Sequence, residues 1–333
     1  MQGPQRLFVF LPAGACAAAA HAGVGVGTVS RVLNDSPNVS PATRELVLKV
    51  IAERGYRPKT AAKVLRTRRT HVIGFITDEI AITPFAGDVI RGAQDAAWAQ
   101  GKILLLVNTN RNADILETAI EMLLDRQVEG IIYATMFHHA VELPANIHET
   151  PAVLLDCFTE DRSLPSVVPD EVLGGYLATE QLLRKGHRRI GFINDVDLIP
   201  ARFGRLAGYQ QALAAYHIAL DDLLICDQVP EPNGGYAGAL ALMRRADPPT
   251  AIFCFNDRMA MGAYDALREL KLKIPDDVAV IGFDNMEVIA ASLRPPLTTM
   301  ALPHYEMGQW AVNYLIEQAN GTNVGMPVQA KLP

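Results

Sequence analysis

Two rhythms of apolar and polar positions divide this chain. From residue 72 onward, apolar runs at 72–76, 103–107, 130–133, 152–155, 190–193, 251–255 and 278–283 alternate with amphipathic stretches near 86–100, 112–126, 171–185, 203–216, 234–245, 258–270 and 304–319. Runs this short and this continuous predict buried strands, and the stretches between them predict helices. Repeated strand–helix units imply parallel sheets covered on both faces. There are too many units for one ordinary sheet, so the pattern predicts two similar halves that meet near residue 160. The halves share no visible sequence repeat.

Before residue 58 the rhythm is helical, and three short helices are predicted over about residues 15–57. Gly23 supplies a permissive backbone for a sharp turn, and Val24 would plug the space between the first two helices. Val29 and Val32 face inward at helical spacing, which leaves Thr28, Ser30 and Arg31 on or near the outer face. Ser40-Pro41 reads as an N-cap and first-turn proline for the third helix. Its inner face is predicted as Leu46, Val47, Val50 and Ile51, with Gly55 ending it. Residues 58–66 form a short charged segment, and 67–70 read as a domain boundary.

Charge sharpens this division. The chain has 333 residues, enough for two or three domains with real cores, and a net charge of −6. Residues 1–71 carry eleven Lys/Arg against three acids, a surplus of eight, which leaves −14 on the remainder. A basic head on an acidic body suits a nucleic-acid module joined to a sensing or oligomerising domain.

The run from Gly23 to Asn34, then Asn38-Val39-Ser40-Pro41-Ala42-Thr43-Arg44, then Gly55-Tyr56-Arg57-Pro58, resembles the LacI/GalR family of bacterial transcription regulators. The resemblance covers nearly all of the chain from about residue 20. It implies an α/β protein: a three-helix helix-turn-helix head at 15–57, a hinge helix and linker at 58–70, and a two-lobed body at 71–333. That body would be periplasmic-binding-protein-like, with flavodoxin-like lobes, three crossovers and a ligand cleft between them. The implied function is a ligand-responsive repressor acting as a homodimer or tetramer on a pseudo-palindromic operator. Val26 and Gly27 would hold the two main base-reading positions, with Thr28, Ser30, Arg31, Asn34 and Tyr56 as further DNA contacts. Leu65 matches the apolar wedge of the hinge helix, with Ala62 one turn before it. Gly27 has no side chain to read a base, and Val26 can touch only a thymine methyl, so Arg31 is left as the chief specific contact.

In open α/β sheets, ligands sit beyond the carboxyl ends of strands. Polar residues collect at those ends: Asn108-Thr109, Asp156, Asp170, Asn194-Asp195, Asn256-Asp257 and Asp284-Asn285. Asp170 and Asp257 read equally well as helix caps. The resemblance assigns Asn108, Asp156, Asn256 and Asp284 to the cleft. It also assigns Arg205, with Arg202 as a second candidate, to a ligand-gripping arginine before Leu206-Ala207-Gly208-Tyr209. Such a guanidinium suits a sugar hydroxyl pair, a phosphate or a carboxylate, and the Asn/Asp set favours a sugar-like effector. Pro230 stands where relatives often carry a stacking aromatic, and Phe85 could supply that stacking instead.

Departures from the family pattern set further expectations. The family's polar first helix is replaced by Ala17-Ala18-Ala19-Ala20, so an atypical first helix is expected. Gly25 stands where a capping Ser is usual. Relatives continue beyond a segment like 327–333 with another strand, so an unpaired sheet edge is expected. Arg6 followed by an apolar run to Leu11 imitates an export signal, and Cys16 invites a lipid anchor. These support an alternative, an exported or lipid-anchored sugar-binding protein of the same two-lobed fold.

Other signals carry little. The run from Gly23 to Gly27 lacks the spacing and preceding strand of a dinucleotide loop. His138-His139 has no partner at metal-ligand spacing and reads as an exposed loop. The four cysteines are scattered and suit a reducing cytoplasm, with Cys254 in the core. No run reaches transmembrane length. No catalytic constellation, metal site or cofactor is expected.

Overall fold

The computed structural model describes residues 13–33, 35–53, 70–79, 86–322 and 329–333. The chain divides into two compact units at Thr70 and His71.

The first unit holds three helices, α1 (Ala13–His21), α2 (Val26–Leu33) and α3 (Pro41–Glu53). Ala18, Ala19 and Ala22 pack with Val29, Val32, Val47 and Val50 in one core. The alanine run therefore forms the first helix, and its small face lets the other two approach closely. Gly23 turns the chain at φ +62°, in the left-handed region. The carbonyl of Gly25 accepts from the amides of Thr28 and Val29 at 2.8 and 3.3 Å, so the start of α2 rests on backbone alone. Ser40 does cap α3, its hydroxyl accepting from the Thr43 amide at 3.2 Å. Arg44 ties down the preceding loop by donating to Asp35 and to the Ser36 carbonyl, at 2.5 and 2.6 Å. One inward assignment is corrected: Leu46 is exposed. The buried stripe of α3 is Val47, Val50 and the half-buried Ile51, at i, i+3 and i+4, and Leu46 sits one residue outside it.

The second unit is built on two parallel sheets. The first contains β1 (Val72–Thr77), β2 (Ile103–Asn108), β3 (Ile131–Ala140), β4 (Ala152–Phe158), β5 (Ser166–Pro169) and β11 (Gln329–Leu332), in the order β11-β5-β4-β3-β1-β2. Helices α4 (Ala86–Ala99) and α5 (Ala113–Asp125) connect its strands. The second contains β6 (Ile190–Asp195), β7 (Ile225–Gln228), β8 (Ala251–Cys254), β9 (Ala279–Asp284) and β10 (Thr298–Ala301), in the order β10-β9-β8-β6-β7. Its helices are α6 (Glu171–Arg184), α7 (Pro200–Ala215), α8 (Pro232–Met243), α9 (Asp257–Glu269) and the short α10 (Glu287–Ala290). The last helix, α11 (His304–Asn320), returns to the first sheet, where Met307, Ala311, Val312 and Leu315 join its core.

The sequence pattern named seven of these eleven strands. The four it missed, β5, β7, β10 and β11, are four residues long and offer no continuous apolar run. Because β5 belongs to the first sheet, the chain passes between lobes at Asp170 rather than near 160. It passes back between β10 and α11, so the described residues contain two crossings where the resemblance implied three. β11 fills the edge of the first sheet, pairing Gln329 with Ser166 through Leu332 with Pro169.

Close helix crossings set where the site's side chains emerge. A Cβ on Gly208 of α7 would lie 2.2 Å from the Val172 carbonyl oxygen of α6. One on Gly92 of α4 would lie 2.0 Å from the Tyr305 carbonyl oxygen of α11. Only glycine permits these backbones to meet, and the first contact seats Arg205 of α7 beside Glu171 of α6.

Candidate functional site

Strands from both sheets end at a cavity of about 200 Å³. From the first lobe come Met136, Phe137 and His138 of β3 and Asp156 of β4. The β3–β4 register shifts between Ala134 and His139, and this turns the segment toward the cavity. His138 is thus a strand residue lining the cleft, not part of an exposed loop. Both of its ring nitrogens are buried without a hydrogen-bond partner, and the ring stands edge-on to Phe158. Burial, helped by the Arg162 charge, lowers its pKa to about 4, so the ring is neutral at physiological pH. Asp156 sits in the left-handed region at φ +58°. Its carbonyl accepts from the Thr135 hydroxyl at 2.9 Å, while its Oδ1 is buried and has no partner. Burial first, then the Glu171 charge, holds its carboxyl well above the usual range.

The second lobe contributes a connected polar group. Arg205 is buried among four neighbours. Its Nε donates to Glu171 Oε2 at 2.7 Å and Nη2 to Oε1 at 3.5 Å, while Nη1 donates to the Phe255 carbonyl at 2.5 Å. Asp284 Oδ1 lies 3.6 Å from Nη1. The rings of Phe283 and Phe255 stand 3.7 and 4.3 Å from the guanidinium carbon. Burial pushes Asp284 up to about 7 against the opposing pull of Arg205.

Asn256 caps α9 by accepting from the Met259 amide at 2.8 Å, and its Nδ2 donates to the Pro230 carbonyl at 3.1 Å. Asp257 is not the cap. It is fully buried and accepts from the Thr299 hydroxyl and the Met286 amide, each at 2.6 Å, with its pKa raised by burial to about 6. Asp170, by contrast, does cap its helix, accepting from the Leu173 amide at 3.0 Å. Asp195 closes the second lobe's rim and accepts from the Asp197 amide at 3.0 Å.

Of the residues the sequence proposed for the cleft, Asp156, Arg205, Pro230, Asn256 and Asp284 line the cavity. Arg202 does not: it pairs with Asp227 and stacks on Phe203. Asn108 also lies elsewhere, accepting from Thr77 at 2.9 Å and donating to Asn110 at 2.7 Å. Phe85 is outside the described residues. Sequence reasoning missed Glu171, His138, Phe255 and His304 among the lining residues. Glu171 directly follows the Asp170 cap, a hint that the helix start faces the cleft. Nothing local marks His304, whose pKa burial lowers to about 4.

On the head, Arg31 and Ser30 are exposed, Thr28 is half-buried, and Val26 packs partly against the core. Gly27 is exposed, and a Cβ there would lie 3.8 Å from Arg31 Nη2, so the guanidinium occupies the space beside the missing side chain. Asn34, Tyr56, Ala62 and Leu65 lie outside the described residues.

Residues 70–330 match the family profile of periplasmic binding proteins and the sugar-binding domain of the LacI family, and residues 18–59 match that of bacterial regulatory proteins of the lacI family. The chain belongs to the LacI family. It is 33% identical to the ribose operon repressor of Haemophilus influenzae over 303 residues, 90% of each chain. Its fold is similar to that of the lac repressor dimer bound to operator and an anti-inducer, with 27% identity, a TM-score of 0.75 and coverage of 95% of this chain and 94% of that one. It is also similar to a complex of the regulator CelR with cellobiose, at 31% identity and a TM-score of 0.65, covering 97% of each. This LacI-family chain is accordingly a transcriptional regulator with a helix-turn-helix head and a periplasmic-binding-like α/β body. The exported-protein alternative is not favoured, because residues 18–59 match the regulators' head and the similar proteins include repressors. No helix among the described residues is long and apolar enough to cross a membrane.

Proposed function

We propose that this protein is a cytoplasmic repressor that binds a pseudo-palindromic operator as a homodimer and responds to a small sugar-like effector in the interlobe cleft, without turning it over. The head would span 15–57, the hinge segment 58–70 and the sensing body 71–333. The observation that carries the reading is one chain joining a three-helix head and a basic sequence segment at 54–69 to a carboxylate- and amide-lined cavity at the carboxyl ends of two parallel sheets. Asp156, Arg205, Asn256 and Asp284 are the effector-site residues, with Pro230 at its wall. Self-association is supported by Ile103, Leu106, Ile115 and Met122, large apolar side chains exposed on the edge strand β2 and on α5. Effector binding and operator binding would then be coupled through two states of the body.

On the head, Arg31 carries the base-specific contact, and Val26, Gly27, Thr28 and Ser30 complete the surface. The test is a salt-titrated binding assay with a family-like palindrome and a scrambled duplex. The intact chain prefers the palindrome at moderate salt. Arg31→Ala loses about 1–3 kcal/mol on the palindrome and little on the scrambled duplex. An unchanged preference in the variant removes Arg31 from the reading role, and equal binding of the intact chain to both duplexes removes the specific repressor.

A further inference from the structure

The helix that carries Arg31, α2, closes at its carboxyl end through two backbone bonds. The Ser36 amide donates to the Arg31 carbonyl at 3.0 Å, and the Asp35 amide donates to the Val32 carbonyl at 3.1 Å. Together they form a Schellman end, with Asp35 in the left-handed position at φ +54°. Glycine suits that position best, because a side chain there crowds the following carbonyl. Aspartate also brings a negative charge to the negative end of the helix dipole. Both features weaken the turn that holds Arg31.

Arg44 of α3 offsets them. Its Nη1 donates to Asp35 Oδ1 at 2.5 Å and its Nη2 to the Ser36 carbonyl at 2.6 Å. The Asp35 side chain is 95% exposed, so the ion pair alone contributes little. The planar fork matters more, because one guanidinium fixes a carboxylate and the carbonyl of the next residue at the same time. Arg44 itself springs from the capped first turn of α3, where its amide donates to the Ser40 carbonyl at 2.9 Å.

We propose that Arg44 is a positioning residue for operator reading. It uses its charge inside the head, braces the Schellman end of α2 and so fixes the backbone at Arg31, and it does not serve as a phosphate contact. The inference rests on the operator reading above and deepens it, since Arg31 is the base-reading residue there. The link is two bonds long, from the guanidinium to the Ser36 carbonyl and from the Ser36 amide to the Arg31 carbonyl. Without the brace, the last carbonyls of α2 return to water and the turn frays. The loss then falls on the matched sequence, which needs Arg31 at one angle, and not on the general attraction to phosphates.

Two variants of the full-length chain test this, Arg44→Met and the double variant Asp35→Gly/Arg44→Met. The double variant removes a cation and an anion together and places glycine in the left-handed position, so α2 can close without a brace. The first measurement is salt-titrated binding to the palindromic and scrambled duplexes. Arg44→Met should lose about tenfold or more on the palindrome and little on the scrambled duplex, with the salt dependence unchanged. The double variant should recover most of that loss. A phosphate contact would instead weaken both duplexes alike, lower the salt slope by about 0.9 and resist recovery by Asp35→Gly, and that result overturns the proposal. The second measurement is hydrogen exchange without DNA. In Arg44→Met the Asp35 and Ser36 amides should exchange about tenfold faster or more, with α1 unchanged. Unchanged exchange at both amides overturns the proposal, and so does lost protection throughout α1–α3. The operator reading is judged on the intact chain's preference for the palindrome. If that preference is absent the reading falls, and hydrogen exchange still decides whether Arg44 braces α2.

Discussion

The two lobes of the sensing body are wound alike but are finished differently at the cleft. In the second lobe, the polar groups that Arg205, Glu171 and Asn256 bring to the cavity have protein partners before any ligand arrives. In the first lobe, Asp156 Oδ1 and both His138 nitrogens have none. One lobe is therefore a preformed template, and the other holds unmet hydrogen-bonding capacity that only a ligand or water can satisfy. An interaction that completes one lobe while docking on the other gives a physical reason for closure on binding, since the unmet groups cost free energy while the cleft stays open.

The sharpest way to break this comparison is Arg205→Ala. It leaves Glu171 and Asp284 buried near one another without their cation, and removing one partner of a buried pair costs about 3–5 kcal/mol. Thermal unfolding should show a drop of roughly 10 °C for a domain of this size. An unchanged melting temperature would mean that water, not the protein, satisfies the second lobe.

A smaller effect follows from Asp284, whose carboxyl is raised to about 7, mainly by burial. Below that pH the folded state holds a proton that the unfolded state has released, so this group's stabilisation is lost as pH rises toward and through about 7. From pH 6 to 8 the intact protein should lose about 1 kcal/mol, or about 2–4 °C, and Asp284→Asn should flatten that slope. An identical slope in the variant would show that Asp284 is not the titrating group.

The smallest effect is predicted at Asp156→Asn. Its Oδ1 has no partner to lose, and burial already holds its carboxyl well above the usual range, so a neutral amide there should keep or raise folding stability in urea unfolding. A loss above about 2 kcal/mol would make Asp156 part of the scaffold and erase the contrast between the lobes.

How much of this could be read from the chain depended on how local the cause was. Val29, Val32, Val47 and Val50 announce the head's core by helical spacing, and the structure buries all four. Gly23 announces the turn. Seven strands announce themselves as apolar runs; six are covered on both faces and so apolar throughout, while β2 is an apolar edge strand with Ile103 and Leu106 exposed. β5, β7, β10 and β11 carry no such run, and missing β5 displaced the boundary between the lobes by ten residues. Asn256 and Asp257 show the limit at single-residue scale. Both follow a strand and precede a helix, but one caps the helix while the other holds Thr299 and Met286 from elements far along the chain.

The sequence by itself determined the family, the division into a basic head and an acidic α/β body, and the polar residues gathered at strand ends. These follow from spacing, charge and periodicity, which are properties of neighbours along the chain. Tertiary structure alone decided that Arg205 faces Glu171 rather than open solvent, that His138 lines the cleft, that Arg202 turns away to Asp227, and that Asp156 is left without a partner. Each of those outcomes depends on which groups meet across helix crossings and between lobes, and on how deeply they are buried when they do.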